Sequence, residues 1–311
     1  MTAAEPGATV DVVVIGAGPA GLAATLNLAR QQRSVVLLDS NRPRHAATLQ
    51  SHGFITRDGI SPLELRTLGR EEVLRYPTVT YERTLVTQIA AVDGGFEVQA
   101  EQAGSRAESA TRASAVLIAT GLSETLPLPQ QVRPWYGTSL HSCMDCDGYD
   151  KRGQALALIG ETDDLVDRAM VIRRHTDDLA VFTNGAADAV SAAGEARLAE
   201  HGVALVRTPI AAIEGDREGM QAIVLEDGSR SIRTGGFVRP WWHAQLGFAD
   251  SLGLETDEDG LVVVDRTQRT SVEGVYAAGD ITPGFRQLAV AAGAGTIAAS
   301  VINRDLISRN L

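Results

Sequence analysis

Largely apolar runs alternate with a helical pattern at the start of the chain. Residues 12–15 and 34–38 are two such runs, of the kind that forms parallel strands buried on both faces. Between them, Leu22 and Leu26 recur at the spacing of one helical face. The pattern predicts a strand–helix–strand unit that ends at Asp39.

The same arrangement returns in the second half of the chain. Residues 155–159 and 179–182 are predicted to be buried strands, with a helix over residues 163–175 between them. A β-rich stretch follows each unit, at residues 79–102 and at residues 204–232. The first stretch is predicted to be antiparallel, with a turn at residues 93–95.

Two crossings divide the chain, at residues 122–134 and near residues 235–240. The tail must then return to the first domain. The predicted fold class is α/β, with two dinucleotide-binding (Rossmann-like) domains, the second inserted within the first. The predicted first domain comprises residues 1–121 and 239–311, and the predicted inserted domain comprises residues 122–238.

Composition limits the classes of function. The 311 residues are 44% apolar and 22% charged, which is typical of a globular protein with a full core. A net charge of −11 with no long run of like charge argues against a nucleic-acid partner. No stretch offers the roughly 20 apolar residues of a membrane helix. The stretch before the first strand is short and polar, so we expect no secretory leader. We therefore expect a cytoplasmic protein without a membrane partner.

The loop after the first strand is the first candidate site. Its first glycine makes a tight turn, its second lets a pyrophosphate approach the backbone, and its third lets helix and strand pack closely. The helix N-terminus attracts phosphate, and an acid about 20 residues further on binds ribose hydroxyls. The candidate nucleotide-binding residues are Gly16, Gly18, Pro19, Ala20, Gly21 and Asp39.

Cys143 and Cys146 are the two cysteines of the chain, and Asp147 follows them at once. Two cysteines at this spacing can form a small disulfide ring that opens and closes through a thiolate. The adjacent carboxyl can move the proton. A zinc site needs about four ligands, and even with His141 nearby the set is incomplete, so we expect no metal. Two inert buried cysteines are the alternative.

Three further motifs make the chain resemble the pyridine nucleotide–disulfide oxidoreductases. They lie at strand ends or just before a helix of small residues: Thr120, Gly121, Gly279, Asp280, Arg286 and Gln287. The resemblance implies an FAD cofactor, with Asp280 at the ribityl chain. It also implies that Arg286 and Gln287 lie near the pyrimidine end of the flavin ring.

Within that group, the C-x-x-C-D motif resembles the low-molecular-weight thioredoxin reductases, over nearly the whole chain. The resemblance implies that Cys146 faces the flavin, that Cys143 exchanges with the substrate, and that Asp147 is the acid–base group. It further implies a homodimer. The substrate would be a thioredoxin-like protein or a small-molecule dithiol or disulfide.

The second nucleotide loop departs from that pattern. Thr162 stands where those reductases have the second glycine of their NADPH fingerprint. Glu161 and Asp164 add negative charge beside a site for an anion. Thr183 and Asn184 stand where basic residues would bind the 2′-phosphate. We therefore expect a flavin-dependent thiol–disulfide oxidoreductase that does not use NADPH.

The electron partner is expected to be ferredoxin or oxygen. Residues 41–62 resemble the thioredoxin-reductase-like dithiol oxidases of natural-product pathways, which pass electrons to oxygen. A ferredoxin-linked branch of the reductases has also lost its NADPH motifs. Two other functions stay open: an NADPH-dependent thioredoxin reductase with a diverged fingerprint, and a non-catalytic flavin and C-x-x-C module that senses redox state.

Three more side chains are candidate neighbours of the flavin. His52 lies where related enzymes place residues beside the flavin, and packing is an equal alternative. Trp241 and Trp242 stand at the return crossing, where they could stack over the flavin or pack at a domain hinge.

Overall fold

The computed structural model describes residues 9–102, 105 and 107–309. Its described residues form two compact units. The first unit contains the chain up to Ala46, residues Gly53–Ser123 and the chain from His243 onward. The second contains Ala47–His52 and Glu124–Trp242. The second unit is thus inserted within the first, which confirms the predicted fold class. The domain boundaries given from the sequence remain predictions.

The strands are β1 (Val10–Ile15), β2 (Val35–Leu38), β3 (Val79–Glu82), β4 (Thr84–Val92), β5 (Gly95–Gln102), β6 (Glu108–Ile118), β7 (Leu122–Thr125), β8 (Leu140–His141), β9 (Leu156–Ile159), β10 (Leu179–Phe182), β11 (Ala204–Val206), β12 (Ile210–Asp216), β13 (Gly219–Leu225), β14 (Arg230–Ile232), β15 (Gly235–Val238), β16 (Trp241–Ala244) and β17 (Val275–Ala277). The α-helices are α1 (Pro19–Arg30), α2 (Pro62–Val73), α3 (Pro129–Val132), α4 (Met144–Asp147), α5 (Leu165–Ile172), α6 (Ala192–Glu200) and α7 (Leu288–Arg309). Short 3-10 turns occupy Arg44–Ala47, Arg133–Trp135, Ala187–Ala189 and Gly247–Leu252.

The sheet of the first unit runs in the order β3-β2-β1-β6-β5-β4, with β17 beside β6. Strand β1 lies between β2 and β6 and is parallel to both, as its apolar sequence predicts. Ile118 is in register with Ile15 of β1 and with Ala277 of β17. The carboxyl ends of these three strands therefore meet at one edge of the sheet, where doubly wound folds bind ligands.

One prediction for this sheet is wrong in part. Residues 79–82 form β3, which is parallel to β2 rather than antiparallel to its successor. The predicted antiparallel pairing holds for β4 and β5 on either side of the turn. The reason is tertiary, because the free edge of β2 pairs with the segment that returns from α2 before the meander begins.

The sheet of the second unit runs in the order β11-β10-β9-β15-β8, and β12, β13 and β14 form a separate antiparallel meander. The second predicted crossing is wrong in its position, because β15 is a buried strand between β9 and β8. Gly236 permits this, since a Cβ there would lie 2.1 Å from the carbonyl oxygen of Ala157. The chain leaves the unit one step later, at β16, which pairs with β7.

Hydrophobic cores differ between the units. In the first, small side chains of α7 such as Ala298 and Ala299 pack with Ala24 and Leu28 of α1. In the second, Leu165, Ala169 and Ile172 of α5 pack in a separate cluster. Helix α5 is shorter than the predicted helix and ends at Ile172. Among the described helices, none is long and apolar enough to cross a bilayer.

Candidate functional site

The glycine loop between β1 and α1 shows three different constraints. Gly16 has a φ of +105°, and a Cβ there would lie 2.4 Å from the carbonyl oxygen of Ala119. A Cβ on Gly21 would lie 1.8 Å from the carbonyl oxygen of Gly16. At Gly18, by contrast, a Cβ would meet nothing within 4 Å. Two glycines are required by packing, and the third leaves open space at the N-terminus of α1.

Asp39 is bound to this loop. Its carboxylate accepts hydrogen bonds from the Ala17 amide (3.1 Å), from the Asn41 amide (3.1 Å) and from the Arg66 guanidinium (2.7 Å). Arg66 is 3% exposed, and its Nε donates to the Ala17 carbonyl at 3.3 Å. Arg66 thus holds the predicted ribose-binding acid against the phosphate loop.

The other predicted cofactor residues gather at the same strand ends. Thr120 and Gly121 follow β6, and Gly279 and Asp280 follow β17. The Asp280 carboxylate forms an ion pair with Arg44 at 2.6 Å, and both side chains are largely buried. A ribityl hydroxyl bound here would therefore share Asp280 with a guanidinium.

Arg286 and Gln287 lie immediately before α7, which begins at Leu288. The Gln287 backbone carbonyl accepts a hydrogen bond from the Ala291 amide at 2.9 Å, which continues the first turn of the helix. A Cβ on Gly53 would lie 3.9 Å from Oε1 of Gln287, so the backbone at Gly53 passes close to this side chain. The partial positive charge of a long helix N-terminus is therefore close to both predicted flavin-contacting residues.

The residues at this edge fit a dinucleotide. Pro19 occupies the first turn of α1, where a missing N–H costs nothing, and Gly18 precedes it in extended geometry without a side-chain cap. The open side of Gly18 is a cradle that any side chain would fill. Asp39 follows β2 and Asp280 follows β17, on opposite sides of β1 and β6 in the strand order, so the edge offers one carboxylate for each of two sugar-like chains.

The two cysteines form a disulfide with an S–S distance of 2.05 Å. Cys143 is the N-cap of α4, and its sulfur accepts a hydrogen bond from the Cys146 amide at 3.1 Å. The Asp147 amide donates to the Cys143 carbonyl at 3.2 Å. One turn of helix therefore holds both sulfurs and the predicted acid–base carboxyl together. Both cysteines are half-buried, so the disulfide is reachable.

Asp147 has a partner that sequence reasoning did not assign. Its carboxylate lies 2.8 Å from Nδ1 of His141, and the two side chains are 13% and 12% exposed. Nε2 of His141 lies 2.6 Å from the Thr138 carbonyl oxygen. The only advance signal is that His141 precedes Cys143 by two positions.

In the second nucleotide loop, three donors surround the carboxylate of Asp164. They are the Thr162 hydroxyl (2.6 Å), Nε of Arg168 (2.6 Å) and Nε of Arg239 (2.8 Å). Burial opposes charge on this carboxyl, but the hydrogen bonds outweigh burial and lower the pKa of Asp164 to about 2. The prediction that Asp164 adds negative charge beside an anion site is therefore wrong for this residue, because the guanidinium groups of Arg168 and Arg239 neutralise its carboxylate.

The neighbouring acid is also paired. Oε1 of Glu161 accepts a hydrogen bond from Nδ2 of Asn184 at 2.8 Å. Oδ1 of Asn184 in turn accepts from the Ile210 amide at 3.0 Å. The Asn184 side chain thus connects the end of β10 to the loop after β9. Asn184 stands where the sequence comparison with NADPH-binding reductases expects a cation for the 2′-phosphate.

The remaining candidates lie in the second unit or at its end. Nε2 of His52 lies 3.2 Å from a carboxylate oxygen of Asp150. The ring of Trp242 stacks with the guanidinium groups of Arg239 and Arg168, at 4.3 Å and 5.5 Å from the ring centre. Trp241 begins β16 and is half-buried. The predicted proximity of these three residues to the flavin remains a prediction.

Comparison with known proteins agrees with this geometry. The family model for pyridine nucleotide-disulphide oxidoreductases matches residues 10–295. The chain belongs to this family. The Cys143–Cys146 disulfide lies within the matched residues. The cofactor roles of Asp39 and Asp280 remain predictions.

Individual relatives are similar over almost their full length. The chain is 30% identical to thioredoxin reductase tcpT of Claviceps purpurea, covering 96% of this chain and 95% of that protein. It is also 30% identical to thioredoxin reductase sirT of Leptosphaeria maculans, covering 97% and 95%. A solved structure of Bacillus anthracis TrxB, to which thioredoxin reductase activity is ascribed, superposes with a TM-score of 0.90 at 35% identity, covering 97% of this chain and 100% of that one.

The chain is therefore a thioredoxin-reductase-like flavoprotein disulfide oxidoreductase that carries FAD. Sequence reasoning missed Arg66, Arg44 and Arg239, which pair with Asp39, Asp280 and Asp164, respectively. For Arg66 a signal existed, because the residue occupies the apolar stripe of α2 together with Pro62 and Val73.

Proposed function

We propose that this enzyme exchanges electrons between its flavin and a substrate dithiol or disulfide through Cys143 and Cys146, without NADPH. The observation that carries the proposal is the Asp164 cluster in the second nucleotide loop. Its carboxylate occupies both nearby guanidinium groups, which are the groups that could otherwise bind a pyrophosphate. An incoming phosphate would have to displace a carboxylate whose pKa is lowered to about 2.

The rest of that loop supports the same conclusion. The hydroxyl of Thr162 points to Asp164 and helps to hold the carboxylate in place. Asn184 is bonded to Glu161, so an acid stands near the position of the missing 2′-phosphate cations. Loss of one charge-assisted contact costs roughly 1.5–3 kcal/mol, so the loss of two weakens NADPH binding by about two orders of magnitude or more.

The dithiol step is carried by the chain's own residues. Cys143 exchanges with the substrate sulfur, Cys146 is the second thiol of the pair, and Asp147 takes up or releases the proton. FAD, when bound, supplies the two-electron centre that reduces or reoxidises this pair. Asp39 and Asp280 bind its ribose and ribityl hydroxyls, the glycine loop binds its pyrophosphate, and Thr120, Gly121 and Gly279 line the same edge.

The partner classes follow from the family. The named relatives are thioredoxin reductases, which supports a thioredoxin-like protein or a small-molecule dithiol or disulfide as substrate. Without NADPH, the flavin exchanges electrons with ferredoxin or with oxygen. We further propose a homodimer in the cytoplasm, where a lone C-x-x-C is maintained for redox chemistry rather than as a structural staple.

The test is anaerobic mixing of the holoenzyme with NADPH or with dithiothreitol while flavin absorbance is followed. We expect the flavin to stay oxidised with excess NADPH and to be bleached by the dithiol. Cys143→Ser is the control for the second arm and should slow bleaching by the dithiol at least tenfold, on the order of the loss of one essential group. Complete bleaching by NADPH within seconds would instead establish a reductase with a diverged fingerprint.

Two further mixing experiments identify the electron partner of the flavin. Rapid reoxidation of the dithiol-reduced enzyme on admission of oxygen would support an oxidase, and bleaching by reduced ferredoxin would support a ferredoxin-linked reductase. Thr162→Gly should not restore reduction by NADPH, because Arg168 and Arg239 remain bound to Asp164 in that variant. A flavin that neither dithiol nor reduced ferredoxin can reduce would indicate a non-catalytic module.

A further inference from the structure

The geometry points to His141 as a positioning residue for thiol–disulfide exchange, acting through Asp147 with which it holds one transferable proton. This inference rests on the proposed function of the Cys143–Cys146 pair. It starts from two short contacts of one imidazole ring. Nδ1 lies 2.8 Å from the Asp147 carboxylate, and Nε2 lies 2.6 Å from the Thr138 carbonyl oxygen.

The two contacts decide how many protons the pair holds. A carbonyl oxygen only accepts, so Nε2 must carry a proton for the contact with Thr138 to be a hydrogen bond. The contact with Asp147 then needs a second proton, either on Nδ1 or on the carboxyl. Removal of that proton leaves a ring lone pair facing a carboxylate at 2.8 Å. Uptake of one proton by the deprotonated pair therefore completes both hydrogen bonds and makes the pair net neutral, so the arrangement favours proton uptake.

The two residues of this pair flank the two cysteines along the chain. Strand β8 pairs in parallel with β15, with His141 opposite Phe237, which fixes the backbone before Cys143. Helix α4 places Asp147 directly after Cys146, and the Asp147 amide is bonded to the Cys143 carbonyl at 3.2 Å. The carboxyl that shares the proton thus belongs to the same helical turn as both cysteines.

Other ionisable groups surround the pair. Nζ of Lys151 donates to the carbonyls of Ser139 (2.9 Å) and Thr138 (3.3 Å), so His141 and Lys151 share one acceptor. Burial lowers the pKa of Lys151, and the nearby charges of Asp147 and Asp150 oppose that change. Asp150 is also paired with His52. From the other side, the ring of His175 packs on Gly148, where a Cβ would lie 2.5 Å from Nε2.

The His141–Asp147 pair can accept the proton that the first sulfur displacement releases, and Cys143 takes the proton of the second. When a dithiol is oxidised, the first substrate thiol gives its proton to the deprotonated pair through Asp147. Its sulfur bonds to Cys143, and the Cys143–Cys146 bond breaks with both electrons on Cys146. The second substrate sulfur then displaces Cys143, which leaves with that thiol's proton. The substrate loses two electrons and two protons; the cysteines gain the electrons, and the protons end on Cys143 and on the pair.

The test is the rate at which iodoacetamide alkylates Cys143 in the reduced holoenzyme between pH 5 and 9, with the modified site determined by mass spectrometry. The protonated pair should stabilise the Cys143 thiolate and lower its apparent pKa below the ordinary value of about 8.5. In His141→Asn, which keeps an amide donor but cannot be protonated, that pKa should rise by at least about one unit, so alkylation at pH 6.5 should slow about tenfold.

Three comparisons make the result decisive. His141→Gln is a second variant should the first fail to fold, and His201→Asn is the control, because His201 is an exposed histidine of the same unit bonded to the Arg197 carbonyl. Asp147→Asn should also raise the pKa of Cys143. The double variant of Asp147→Asn and His141→Asn should raise this pKa no further than Asp147→Asn alone, since the two residues act as one. Unchanged pH profiles in both His141 variants would refute the inference, because they would restrict His141 to hydrogen bonding.

Failure of the proposed function would look different. If dithiothreitol cannot bleach the flavin of the unmodified enzyme, the electron path through the cysteines is wrong, and the alkylation profile still reports whether His141 controls Cys143. If the flavin bleaches and the His141 variants alkylate like the unmodified enzyme, only the role of His141 is wrong.

Discussion

Single glycines and single cysteines in this enzyme carry distinct constraints. Gly16 and Gly21 are required by contacts with backbone atoms, whereas Gly18 faces open space. Cys143 and Cys146 lie on one short helix but differ in position, because only Cys143 is the cap of that helix. Substitutions at these positions separate binding of the cofactor from folding, and one thiol from the other.

Gly18→Val tests the cradle for the FAD pyrophosphate. Its φ of −81° suits any residue, and no atom obstructs a Cβ, so the protein should fold. The branched side chain should occupy the space of the phosphates and weaken FAD binding at least tenfold, which corresponds to about 1.4 kcal/mol. The ratio of bound FAD to protein after purification measures the effect.

Gly247→Val is the matched control, since a Cβ there also meets nothing within 4 Å. This variant should keep its full yellow colour. Full FAD occupancy in Gly18→Val would mean that the pyrophosphate does not approach that side of the loop.

The two cysteines should differ in covalent trapping by a disulfide probe. In Cys146→Ser, the remaining Cys143 should form a stable mixed disulfide, because no resolving thiol is present to release it. In Cys143→Ser, labelling of Cys146 should be at least tenfold slower, on the order of the loss of the attacking group. Intact mass spectrometry after a short exposure gives both rates. Faster labelling of Cys146 would reverse the assigned roles.

At the scale of elements, ion pairs of Asp164 hold the loop between β9 and α5 in place. Asp164 connects the start of α5 to Arg239, just after β15, and to Arg168 one turn into the helix. Trp242 stacks with both guanidinium groups, which limits their movement further. The loop that departs from the NADPH fingerprint in sequence is an internal salt-bridge cluster in the structure.

Protonation of the Asp164 carboxylate at low pH should break this salt-bridge cluster in a defined pH range. The pKa of Asp164 is lowered from 3.8 to about 2 in the folded state, so its contribution to stability is complete above about pH 4 and is lost as the pH falls towards 2. Asp164→Asn should lower the melting temperature of the second unit by about 4 °C at pH 6, for a loss on the order of 1 kcal/mol.

The difference in melting temperature between Asp164→Asn and the unmodified protein should shrink as the pH is lowered from 5 to 2. Asp167→Asn is the control, because Asp167 lies in the first turn of α5, next to Asp164, and forms an exposed surface pair with Arg197 of α6. Such surface pairs contribute little. A difference that stays constant across this pH range would mean that the Asp164 carboxylate is not the stabilising group.

At the scale of the whole molecule, the chain has two units, and each has a core of its own. The nucleotide loop with the open glycine belongs to the first unit, and the disulfide and the Asp164 cluster belong to the second. Perturbations can therefore be directed to one unit at a time.

Calorimetry of the holoenzyme should resolve two transitions. Excess FAD should raise the melting temperature of the first unit alone. At a free FAD concentration a hundredfold above the dissociation constant, binding stabilises the folded unit by about 2.7 kcal/mol. Asp164→Asn should lower only the other melting temperature, because the Asp164 cluster belongs to the second unit. A single transition that responds to both perturbations would show that the units unfold as one cooperative body.

The local motifs were determined by sequence alone. The βαβ unit, the glycine loop and the acid at Asp39 follow from spacings of a few residues, and so does the disulfide between Cys143 and Cys146. Such spacings act through short chain connections, so the geometry follows once the helix or strand forms. The small-residue helix α7 was predictable for the same reason.

Only the tertiary structure decided which distant charges meet. Arg44 pairs with Asp280 across 236 positions of the chain, and Arg239 pairs with Asp164 across 75. The parallel pairing of β3 and the buried place of β15 likewise depend on strand order. An acid that appears unpaired in the sequence can therefore be neutral in effect, as Asp164 is, because its cation arrives from a strand whose place in the sheet the local pattern does not encode.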